Sequence, residues 1–104
     1  MEFEWDLDKA LTNRQKHLVS FEDAARIFLD PNRIETFDGR ESYGEDRWKT
    51  IGLVEPAVLA VVYTIRGDEG DTIRLISARK ADANERKQYR EIQAGSNQTA
   101  ASQC

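Results

Sequence analysis

One cysteine (Cys104), one histidine (His17) and two prolines are all that the 104 residues hold of these types. A lone cysteine excludes an internal disulfide framework and any zinc site built on thiolates. A lone histidine leaves metal chemistry to carboxylates, and the acids of "DGRESYGED" match no calcium-loop spacing, so no metal or other cofactor is expected. No apolar run approaches the ~20 residues of a membrane-spanning helix. The acidic start, Met1-Glu2-Phe3-Glu4, is unlike a secretory signal. The chain therefore reads as cytoplasmic, with no membrane role. Cations are in the minority: 15 Lys and Arg against 19 Asp and Glu give a net charge of −4. That balance argues against a protein that coats nucleic acid indiscriminately. Phosphate-loop, dinucleotide, kinase and nucleophile-elbow patterns are missing, and neither "RGDEGD" nor "SAR" supplies one.

What is present suffices for one small domain. At 39% hydrophobic the chain can bury a modest core. "MEFEW" alternates apolar and acidic residues, as a short strand would, with Phe3 and Trp5 on one face. Asp6 caps a helix that runs from Leu7 through Lys16, and the Lys16-His17 pair suits the negative pole of its dipole. In "SFEDAARIFLD", Ser20 is the N-cap and Asp23 takes the capping-box position. Phe21, Ala24, Ala25, Phe28 and Leu29 form an apolar stripe, and Pro31 ends it.

The period then changes to two. "RIETFD" and "DRWKTIGLV" read as strands around a Gly- and acid-rich loop, "GRESYGE". Glu55-Pro56 makes a turn. "AVLAVVYTIR" is apolar on both faces, as a central strand is, and "GDEGD" joins it by a hairpin to "TIRLISARK". Asp82 caps a last helix over 83–92, and residues 93–104 read as a disordered tail. The order β-α-α-β-β-β-β-α predicts an α+β domain over 1–92. N-terminal helices pack on a mainly antiparallel sheet that ends in a C-terminal helix.

Charge is unevenly placed. From Glu22 to Asp46 eight acids accompany three bases, and from Thr72 to Arg90 six bases accompany two acids. Ordinary solvated surface accounts for such counts. The composition of the cationic set nevertheless suits phosphodiester chemistry. Lys16, His17, Arg66, Arg74, Arg79 and Lys80 could serve a reaction in which the 2′-hydroxyl of RNA attacks the adjacent phosphorus. That reaction needs a base, an acid and fixed positive charge, but no metal. Imidazole can be base or acid near neutrality, and guanidinium matches phosphate oxygens. The bland alternative is that Lys16 and His17 cap a helix and that the arginines are surface residues.

"FEWD…K…N…KH…VSFEDA…F…D", "DRWKTIG" and "VVYT.RG…IRLISARKA…ER..Y" together resemble the BrnT toxin family of bacterial type II toxin–antitoxin systems, over about Phe3 to Tyr89. The resemblance implies a fold similar to the RelE/ParE-like toxins and a metal-independent ribonuclease that halts translation. It also implies a cognate antitoxin with a ribbon-helix-helix-like DNA-binding domain, in a heterotetramer of two toxins on one antitoxin dimer. The family's recurrent polar positions fall on Lys16, His17, Trp48, Arg66, Arg79 and Glu85. The expected catalytic set is Lys16, His17, Arg66 and Arg79, and the expected RNA-binding set is Trp48, Arg74, Lys80 and Glu85. Two departures stand out: "DRW" replaces the family's frequent "ERW", and Leu18 stands where a glycine commonly follows the Lys-His pair. The competing reading is a non-catalytic binding module, a corepressor that acts only through a DNA-binding partner.

Overall fold

The computed structural model describes residues 1–42 and 45–92, with the backbone alone at 39–42 and 45. The elements run β1 (Glu2–Glu4), α1 (Leu7–His17), α2 (Phe21–Ala25), a 3₁₀ turn (Arg26–Leu29), β2 (Ile34–Ser42), β3 (Glu45–Val54), β4 (Ala57–Arg66) and β5 (Thr72–Lys80). A final helix, α3, covers 83–92. The five strands form one sheet in the order β1-β5-β4-β3-β2. β1 runs parallel to β5, and every other pair is antiparallel.

Strand alternation gives the sheet two unlike faces. One carries Val54, Leu59, Val61, Tyr63, Ile73, Leu75 and Ala78, which pack with Val19, Phe21, Ala24 and Ile27 of the N-terminal segment. Its aromatic rings meet edge-on or tilted: Trp5 on Phe21 at 5.9 Å, Phe3 on Phe28 at 5.5 Å and Phe28 on Tyr63 at 5.1 Å. The opposite face carries the smaller cluster of Ile51, Ala60 and Tyr89, flanked by Ile34, Leu53 and Val58. Gly52 lets the 3₁₀ turn press onto β3, because a Cβ there would meet Ile27 Cγ1 at 2.8 Å.

Helix caps follow the sequence reading. Asp6 accepts from the amides of Asp8 and Lys9, and Ser20 Oγ accepts from Asp23. Asp82 and Glu85 exchange bonds, each side chain accepting from the other's amide, at the start of α3.

Two expectations change. The stripe from Phe21 to Leu29 does not stay α-helical: the α-helix closes at Ala25, and the next turn tightens. The fully buried positions become Phe21, Ala24 and Ile27, while Leu29 is left 80% exposed. A spacing of three is what a 3₁₀ turn brings to one side, so the 3.6-residue stripe overshoots. The "GRESYGE" loop is mostly strand, since β2 continues to Ser42 and β3 starts at Glu45. A run of Gly, Arg, Glu and Ser has no apolar alternation, and that polar composition hid the strands. The link at 43–44 and the tail at 93–104 lie outside the described residues.

Candidate active site

The predicted site residues divide between two places. Lys16 and His17 end α1, followed by Leu18 in the left-handed conformation (φ 62°), which turns the chain toward α2 without glycine. With Asp8, Lys9, Thr12, Asn13, Ile76 and Ser77 they line an open cleft of about 320 Å³ between α1 and β5. Asn13 builds the floor. β1 pairs with β5 only at Thr72–Arg74, so the edge of β5 beyond it is open. There Asn13 Oδ1 accepts from the Ala78 amide, and Nδ2 donates to the carbonyls of Ala78 and Val19. One side chain thus stands in for a rung of the missing strand.

The arginines sit on the other side of the sheet. Register places Arg74 beside Thr64, Arg66 beside Thr72 and Arg79 beside Ala60, on the face opposite Val61 and Tyr63. Arg66 and Arg79 are therefore on one face but six positions apart along β4, ~20 Å. Ser77, which lines the His17 cleft, precedes Arg79 by two residues on β5, ~7 Å away. The cleft and the Arg79 end of the face thus adjoin at the β5 edge. Trp48 is on the helix-covered face, edge-on to Phe37 at 5.1 Å. Lys80 is exposed at the end of β5.

Each resolved ion pair on the arginine face uses a carboxylate. Arg74 Nη1 donates to Glu4 at 2.7 Å. Arg79 holds Glu85 with two parallel bonds, Nη1 to Oε1 at 2.7 Å and Nη2 to Oε2 at 2.9 Å. Lys49 Nζ donates to the same Oε2 at 3.0 Å. Glu85 is only 4% exposed. The Arg79 bonds hold its carboxyl at about 2, against the opposing effect of burial, with further help from the Asp82 amide and Lys49. Glu85 is thus a fixed anion at neutral pH and in no position to deliver a proton. The same pairing raises the Arg79 guanidinium further above its ordinary range. At the start of α3 the Glu85 amide donates to Asp82 Oδ1 at 2.8 Å.

Sequence reasoning passed over Lys49, which was legible because alternation in "DRWKTIG" sets it on the face opposite Trp48. Asn13 stands in the family pattern, but an Asn in a polar helix is ordinary, and only the fold brings Ala78 against it. Among the described residues, no group of three or more His, Cys, Asp or Glu side chains converges as a metal site. None of the described helices is long and apolar enough to cross a membrane.

Residues 5–85 match the model of a family described as the ribonuclease toxin BrnT of type II toxin–antitoxin systems. The chain belongs to the BrnT family. It is thus a ribonuclease toxin of a type II system, and membership implies an antitoxin partner. The crystal structure of the Brucella abortus ribonuclease toxin BrnT superposes with a TM-score of 0.60 at 27% identity, covering 79% of this chain and 97% of that one. No curated protein matches. The α+β class is as expected, and the five-stranded sheet is antiparallel but for the β1–β5 pair, whose parallel direction the element order did not reveal.

Proposed function

We propose that this BrnT-family chain cleaves RNA without a metal, on the sheet face that carries Arg66, Arg74 and Arg79, with the His17 cleft at its β5 edge. One observation carries the reading: strand register puts the three arginines on the face away from α1 and α2, with Arg79 at the end that adjoins the cleft of the only imidazole in the chain. The 2′-oxygen bonds to phosphorus, and its proton passes to a base. The bond to the 5′-oxygen breaks, and that oxygen takes a proton from an acid. The products are a 2′,3′-cyclic phosphate and a 5′-hydroxyl. His17 and Lys16 handle protons, and Arg79 stabilises the charge that grows on the non-bridging oxygens. Arg66, ~20 Å away, positions the strand rather than the scissile group, as does Arg74. Lys80 adds charge near the β5 end.

The fold is read as RelE/ParE-like, and the setting as cytoplasmic. The toxin halts translation until an antitoxin with a ribbon-helix-helix-like domain binds it, two toxins to one antitoxin dimer. The non-catalytic reading draws on the fact that Glu85 already occupies Arg79. One experiment separates the two. Purified protein is mixed with plain RNA in excess EDTA, and the ends of any fragments are characterised. Cyclic-phosphate ends that disappear with a folded Arg79→Ala variant are expected. Intact RNA with wild-type protein would establish the binding module instead.

A further inference from the structure

We propose that Lys49 is a further RNA-contacting residue, which with Arg79 forms one seat for a backbone phosphate of single-stranded RNA. The inference rests on the ribonuclease reading and adds a residue to it. Lys49 pairs with Val62 on β3–β4, and Val62 pairs with Ser77 on β4–β5. Lys49, Ser77 and Arg79 thus share a face, with β4 between them. At that point β4 presents only Val62 and Ala60, too short to obstruct the space. The two long side chains reach across it to one atom, Glu85 Oε2, at 3.0 and 2.9 Å. Their charged ends are therefore close neighbours, near enough for one phosphate to bridge.

The arrangement has a base and a rim. The Glu85 side chain is 5% exposed, whereas those of Lys49 and Arg79 are 31% and 40% exposed. The carboxylate lies beneath, and the two cations reach solvent. Within the triad itself, two positive charges over one negative leave a surplus of one, the charge that a phosphodiester brings, and Asp82 is the next acid acting on Arg79. Donors remain as well. An ammonium has three and a guanidinium five, and among the described residues Lys49 spends one and Arg79 three. A lysine here acts as a point charge on the backbone, so its contribution should not depend on base sequence.

The alternative is that Lys49 only helps to hold α3 through Glu85. Binding of a short 2′-O-methyl RNA, which cannot be cleaved, separates the two when followed by fluorescence anisotropy over a salt series. Lys49→Met should weaken binding about tenfold and make the slope of log K against log salt shallower by ~0.7, the loss of one phosphate contact on a single strand. Lys49→Gln can still donate to Glu85 and should lose the same slope, while Lys49→Arg should keep it. Lys87→Met, an equal charge change on the exposed side of α3, should leave the slope alone. Folded Lys49→Met and Lys49→Gln proteins with the wild-type slope and affinity would overturn the proposal while leaving the ribonuclease reading intact. Failure of the wild type to bind would overturn both.

Discussion

The two faces of the sheet are closed by different physics. The face under α1 and α2 is filled with apolar side chains, and Phe21, Ala24, Ile27, Val61 and Ala78 have no exposure at all. The face under α3 has three buried apolar residues and relies on polar latches. One is Glu85 with Arg79 and Lys49. The other is Asp30, which accepts from the Tyr89 hydroxyl at 2.5 Å and the Leu53 amide at 2.8 Å. Together the Leu53, Tyr89 and Asn32 bonds and Arg33 hold the Asp30 carboxyl below its ordinary range despite its burial. Dispersion and dehydration depend little on pH, whereas carboxylate latches release when protonated. The contrast suits a site, because the cations that hold α3 are the ones the proposed reaction uses.

The largest test of this contrast is a cavity. Phe21→Ala removes a ring with no exposure from the apolar face and should cost about 3–5 kcal/mol in urea denaturation, by an amount nearly constant between pH 4 and 8. A loss below about 1 kcal/mol would show that this face can collapse around the gap.

Acid is the next. Glu85 falls from an ordinary 4.5 to about 2 in the fold. Its contribution is therefore complete above the unfolded value and is lost as pH drops from there toward 2. Glu85→Gln should destabilise by about 2 kcal/mol at pH 7 and by progressively less below pH 4.5. Parallel stability curves for variant and wild type across that range would refute the latch.

Tyr89→Phe removes only the hydroxyl that reaches Asp30 and should cost about 1 kcal/mol, while Asp30 keeps its amide bonds. Amide exchange should rise first in α3 and leave α1 unchanged. Equal acceleration in both helices would mean that the two faces open as one unit.

The smallest effect has the opposite sign. Leu18 adopts φ 62° with 80% exposure. A branched side chain is strained there and glycine is not, although glycine loses more entropy on folding. Leu18→Gly should raise stability by about 0.5 kcal/mol. A lower melting temperature would show that the leucine makes a contact worth more than its strain.

Most elements were legible because each has a local cause. Asp6, Ser20 and Asp82 announce helices that they do cap, and the double-sided apolar run of "AVLAVVYTIR" announces a strand with neighbours on both sides. The register of the β4–β5 hairpin did not follow from alternation alone, because a bulge between Val62 and Tyr63 shifts it and brings Arg74 and Arg79, an odd number of residues apart, to one face. The end of α2 was not legible, because close packing of Ile27 on Gly52 favours a tighter turn than the apolar spacing suggests. The polar part of β2 was hidden because "DGRES" carries no apolar alternation to announce a strand. The resemblance carried by "KH", "DRW" and "SARKA" pointed to the family, and the match over residues 5–85 establishes it.

The sequence by itself determined most of the elements, the central strand and the family, since these depend on near neighbours and on a pattern carried along the chain. Only the tertiary structure decided which charged residues meet. Glu85 lies six residues from Arg79 and thirty-six from Lys49, yet it binds both through one carboxylate. Asn13 completes the edge of a strand sixty-five residues away. Pairing across such distances depends on how the sheet orders its strands and on which side each helix lies. No local propensity encodes that choice, because it emerges when the apolar faces are buried together.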